Sequence, residues 1–164
     1  MYPLYLAAAA AQLAGVALSV STTLRQYLLK VKQAPKQSRE LKGELLLVSD
    51  VLEDLKSVID AAPPDIQTTN TSLLRSLNGF AEFIRELASH IEVQEKDITN
   101  RLKWPFTEEE NGKYLEKLER FKKTFSLACD ALQLYLSFKS TVLNSLVASY
   151  RTLKASLIIS SKWS

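Results

Sequence analysis

The side chains that most readily carry chemistry are scarce in this chain. There is one histidine, His90, and one cysteine, Cys129, among 164 residues. A single histidine excludes a multi-histidine metal centre, and a single cysteine excludes an intrachain disulfide and a cysteine-based zinc site. A Ser-His-Asp triad would have to use His90. That position flanks the Leu87–Ile91 part of an apolar seam, so it reads as a flanking or surface histidine. Cys129 follows Phe125 and Ala128 near another seam and reads as a small buried thiol. A carboxylate di-metal centre in a bundle needs Glu-x-x-His on two helices, and no such motif is present. Glu108-Glu109-Glu110 reads as a helix start rather than a metal site. The four glycines are isolated, so no phosphate-binding loop exists. The chain is therefore expected to be non-enzymatic and to hold no metal or cofactor.

What remains is charge and periodicity. Residues 1–24 carry no charge, and all 18 acidic residues lie between Glu40 and Asp130. Basic residues gather in two acid-free places. Arg25, Lys30, Lys32, Lys36 and Arg39 surround the end of the first helical segment. Lys139, Arg151, Lys154 and Lys162 decorate an apolar C-terminal region. Basic side chains beside apolar helix faces suit an anionic membrane surface. They also suit helix C-termini and ordinary solvated faces. Base-stacking aromatics are not interleaved with either cluster, so no nucleic-acid partner is expected.

The elements follow from the apolar spacing. A first helix is expected over about 4–32. At about 100° per residue, Leu6, Leu13, Val20, Leu24, Tyr27 and Val31 form a large-residue face. Ala7, Ala11, Gly15 and Ser19 recur every four residues and form a small-residue ridge fit for close packing. The segment lacks the basic start of a secretory signal, and its many alanines gain little on transfer to lipid. A second helix, about 36–61, starts at Pro35 and stops at Pro63-Pro64. Leu41, Leu45, Val48, Leu52, Leu55 and Ile59 make its seam. A third, about 72–103, carries Leu73, Leu77, Phe80, Ile84, Leu87, Ile91 and Ile98.

Trp104, Pro105 and Phe106 then form a structural corner. Thr107 is a natural N-cap, and Glu110 three residues on completes a capping box. A fourth helix is expected over about 108–136, with Leu115, Leu118, Phe121, Phe125 and Leu132 in register. From Lys113 onward there is neither Gly nor Pro. One helix to the end would be about 75 Å long at about 1.5 Å per residue. A break near Ser137–Thr141 and a fifth helix over about 141–160 are therefore expected. The chain reads as one all-α domain over 1–164, an antiparallel bundle of four to five helices.

Several stretches resemble a known family. They are the uncharged N-terminal helix; Ala34-Pro35-Lys36 with Leu41-Lys42-Gly43-Glu44-Leu45 and Val51-Leu52-Glu53-Asp54-Leu55; and Arg101-Leu102-Lys103-Trp104-Pro105-Phe106-Thr107-Glu108-Glu109-Glu110. The last continues into Leu115-Glu116-Lys117-Leu118-Glu119-Arg120-Phe121-Lys122 and Thr124-Phe125-Ser126-Leu127-Ala128. Together they resemble the N-terminal domains of fungal NACHT and other STAND P-loop proteins, the Ses-type and HeLo-like domains. The resemblance covers about residues 4–130. It implies a cytoplasmic effector module of non-self recognition and regulated cell death. Its partners would be a STAND or NACHT-type receptor or copies of itself, and on activation an N-terminal helix would enter an anionic membrane. Carried onto this chain, that helix supplies Leu4, Leu6, Leu13, Val16 and Val20 as insertion candidates. The competing expectation is a soluble interaction or oligomerisation module whose first helix stays packed.

Overall fold

The computed structural model describes residues 2–30, 36–62, 71–96 and 106–162, with side chains described over 7–30, 36–62, 72–91 and 106–162. Four α-helices make up nearly all of it: α1 (Tyr2–Lys30), α2 (Lys36–Ala61), α3 (Thr71–Lys96) and α4 (Glu108–Lys162). Among the described residues there is no strand. The chain is all-α.

The leucine seams form the core as their spacing requires. Leu41, Leu45, Val48, Leu52, Leu55 and Ile59 of α2 are buried, as are Leu73, Leu77, Phe80, Ile84, Leu87 and Ile91 of α3. Each large aliphatic side chain so buried contributes about 1.5–3 kcal/mol. Ile98, Trp104 and Pro105 lie outside the described residues. α2 ends in a turn in which the Ala62 amide donates to the Ile59 carbonyl at 3.0 Å. Pro63 follows at once and could not have continued the helix.

Two buried hydroxyls fix the pairing of α1 with α2. Ser49 Oγ donates to the Ala14 carbonyl at 3.0 Å, and Ser21 Oγ to the Lys42 carbonyl at 3.5 Å. Seven residues forward on α1 correspond to seven backward on α2, so the two helices are antiparallel. α1 also packs on α3. The α3–α4 pair is locked by aromatic rings. Phe80 meets Phe125 edge-on at 5.6 Å, Phe83 meets Tyr114 at 5.8 Å and His90 meets Phe106 at 4.8 Å. This order is again antiparallel. α2 and α4 run parallel: Gln37 meets Glu108 at 3.4 Å, and Lys122 pairs with Glu44 at 2.6 Å. The result is an up-down-up-down bundle.

The chain divides into two units, the compact bundle Met1–Cys129 and Asp130–Ser164. One expectation changes: there is no break at Ser137–Thr141 and no separate fifth helix, because α4 is continuous from Glu108 to Lys162. Without Gly or Pro, every residue there can donate its backbone amide to the preceding turn. Thr141 even returns its hydroxyl to the Ser137 carbonyl at 2.9 Å.

Candidate membrane and partner surfaces

The chemistry of α1 is set by which of its faces is covered. Ala7, Ala10, Ala14 and Ala17 are buried, followed by Val20, Ser21, Leu24 and Tyr27. The buried face is therefore alanine over its first half and large over its second. The expected small-residue ridge is only partly there. Ala7 is buried and Ala11 half-buried, but Gly15 and Ser19 are exposed. A methyl group added at Gly15 would meet nothing within 4 Å. The correction has a simple geometric cause. A strict spacing of four drifts around a helix with about 3.6 residues per turn, whereas the alternation of three and four that links Ala7, Ala10, Ala14 and Ala17 stays on one face.

The insertion candidates divide accordingly. Val20 is buried, Leu13 and Val16 are half-buried, and the side chains of Leu4 and Leu6 lie outside those described. Leu18, absent from the expected set, is 47% exposed. The segment Ala7–Lys30 is long and apolar enough to cross a membrane, as core helices of bundles also can be. The basic candidates Arg25, Lys30, Lys36 and Arg39 are all exposed, and Lys36 pairs with Glu40 at 3.6 Å. Lys32 lies outside the described residues.

The start of α4 is built as a charged, capped corner. The Thr107 amide donates to Glu110 Oε2 at 2.8 Å, and the Glu110 amide donates to Thr107 Oγ1 at 3.2 Å. Both arms of the capping box are made, so two amides that a helix start leaves unpaired are satisfied. Glu109–Lys113, Glu116–Arg120 and Glu119–Lys123 pair along the outer face at 2.7, 2.9 and 3.1 Å. Lys113 beside Glu109 holds that carboxyl below its ordinary value and is itself raised. Phe106 is buried against His90 and Tyr114. Burial pushes the Tyr114 phenol up, with Glu86 and Glu110 adding to the shift. These groups line a cleft of about 420 Å³ that also includes Lys117 and Arg120. Its lining holds the carboxylates of Glu86, Glu110 and Glu116 and the cations of Lys113, Lys117 and Arg120. Among the described residues no group of His, Cys, Asp and Glu side chains is placed to hold a metal ion.

Sequence reasoning missed three kinds of position. Phe83 and Tyr114 complete the aromatic lock, and part of their signal was local: Phe83 lies three residues from Phe80, and Tyr114 four from Leu118. Asn111 is also buried, and among the described residues neither of its side-chain polar atoms has a hydrogen-bond partner. No apolar pattern flags such a residue. The third is the C-terminal half of α4. Leu134, Phe138, Leu143, Leu146, Tyr150, Leu153 and Leu157 are all exposed, with Phe138 at 68% and Leu157 at 64%. Leu143, Leu146, Tyr150, Leu153 and Leu157 fall in the stretch, about 141–160, where a fifth helix of the bundle is expected. They lie instead on a helix that forms the second unit alone.

The sequence profile of the family described as pigment biosynthesis cluster protein PigL N-terminal matches residues 1–156. The chain belongs to that family. No curated protein and no solved structure matches it. The PigL N-terminal match takes in the compact bundle and most of the exposed half of α4, so that half belongs to the family's extent. Helical architecture is common to the PigL N-terminal assignment and the fungal NACHT resemblance. The finer likeness, to NACHT N-terminal domains, remains a likeness.

Proposed function

We propose that this chain is a non-enzymatic helical effector domain of the kind found on fungal NOD-like receptors, in which α1 leaves the bundle and enters a membrane. The observation that carries the reading is the alanine face of α1. An alanine methyl contributes about 0.8 kcal/mol on burial, against about 1.5–3 kcal/mol for a leucine. The Ala7–Ala17 half is thus held far more weakly than α2 or α3, while Leu24 and Tyr27 anchor the other end. A helix with a light grip along its first half and a firm one along its second can swing out without dissolving the rest. It is also uncharged through residue 24, so no charge opposes its entry into lipid. The activating partner is a protein, either a STAND or NACHT-type receptor or a second copy, and the resting protein is cytoplasmic.

Dye release from anionic vesicles tests this. Ala14→Leu overfills the α1 seat and should raise leakage. Leu18→Glu, at an exposed position, should suppress leakage in that background while circular dichroism stays helical. If Ala14→Leu loosens α1 yet no vesicle leaks, the insertion reading is wrong, and a soluble interaction module with α1 always packed takes its place.

A further inference from the structure

The second unit, Asp130–Lys162, is a helix with no second element of its own to pack on. At about 100° per residue, Phe138, Val142, Leu146, Tyr150, Leu153 and Leu157 fall within about 120° of arc. Leu143 and Val147 widen that face to about half the circumference. All are exposed, Leu146 and Leu153 by 62% and 63%. The opposite face is built of Ser137, Thr141, Asn144, Ala148, Thr152 and Ala155. Two of its hydroxyls are turned inward: Thr141 and Thr152 donate to the Ser137 and Ala148 carbonyls one turn back at 2.9 and 3.0 Å. Along the same segment stand Lys139, Arg151, Lys154 and Lys162, and no acidic residue follows Asp130.

We infer that the C-terminal half of α4 is a docking surface for an anionic lipid bilayer, lying in the interface with its Phe138–Leu157 face among the acyl chains. Charge selects this occupant. The segment brings four cations and no anion, so it complements an acidic headgroup layer. A second copy would set the same four cations against themselves, with no carboxylate at the flanking positions where paired helices place their salt bridges. The face is also too broad for a two-helix seam, which buries a narrow stripe. Lys139 lies in the middle of it. In a coiled-coil seam that lysine is a defect, whereas at a bilayer its long stem lets the ammonium reach the headgroups. The docking requires no movement within the compact bundle and stands whether or not α1 is ever released.

Co-sedimentation of the full chain with phosphatidylserine–phosphatidylcholine vesicles tests the inference, with pure phosphatidylcholine as the comparison. Binding should favour the anionic vesicles and weaken with salt. Leu146→Glu with Leu153→Glu should lower the partition coefficient by about tenfold or more, as should Arg151→Glu with Lys154→Glu. Neither pair lies in the compact unit, so the thermal melt of the bundle should not change. Leu18→Glu should leave binding intact even where it abolishes dye release, which separates this surface from α1. Undiminished binding by both α4 variants overturns the inference. So does a wild-type chain that ignores vesicles but forms an oligomer broken by Leu146→Glu with Leu153→Glu, which would show that a second copy covers the face.

Discussion

Thr107 and Glu110 show how much one residue pair can decide. Their reciprocal bonds close the start of α4 where Phe106 enters the core. Thr107→Ala removes one arm and should cost about 1 kcal/mol in urea unfolding, while Thr107→Ser should cost little. Tyr114 supplies a pH dependence. Its phenol is raised in the folded chain by burial, then by Glu86 and Glu110. The unfolded chain therefore loses this proton first. Stability is full below the ordinary phenol range, near pH 10, and falls as pH rises from there toward the folded value. Tyr114→Phe should make the alkaline fall in melting temperature shallower, and a fall of equal steepness in the variant would assign it to other groups. Both residues were unequally legible. The capping box follows from two residue types three apart, a purely local motif. The burial of Tyr114 depends on Phe83 and Phe106 arriving from elsewhere in the chain.

At the scale of elements, α1 is the informative helix. α2 and α3 could be read from their seams because large aliphatic residues mark a buried face by volume. The second half of α1 was legible in the same way, since Val20, Leu24 and Tyr27 are buried; its first half was not, because alanines surround it and any face could be the covered one. Position by position the structure chooses Ala7, Ala10, Ala14 and Ala17 and leaves Gly15 and Ser19 open. The two choices make opposite predictions. Ala14→Leu should cost about 1–3 kcal/mol by overpacking. Gly15→Ala should stabilise by up to about 1 kcal/mol, since alanine prefers the helix and its methyl meets nothing. Chemical denaturation of the two variants checks the assignment, and a destabilised Gly15→Ala would restore the small-residue ridge.

On the scale of the whole molecule, the division at Cys129 separates two kinds of stability. Met1–Cys129 is a bundle whose helices hold one another. The remaining length of α4 draws on helix propensity, because most helical stability in proteins comes from packing. Amide exchange should therefore be fast through 137–160 and slow through the seams of α2 and α3. Trypsin should cut first at Lys139, Arg151 and Lys154, leaving a fragment that keeps the cooperative melt of the full chain. Anionic vesicles should protect those same sites. Equal protection across 137–160 in solution would mean that something already covers the apolar face.

From the sequence alone came the all-α class, the seams of α2 and α3, the stop at Pro63 and the capped start of α4. Each rests on interactions within a few residues of chain: periodicity, proline geometry and capping hydrogen bonds. The charge asymmetry was visible in the same way, as was the absence of motifs for metal or phosphate chemistry. Only the tertiary structure decided which side of an alanine helix is covered, and that the last leucines sit on a continuous α4 rather than in a bundle. Apolar periodicity says that a face wants to be buried. It cannot say against what, because burial belongs to two surfaces and the sequence of a helix describes one.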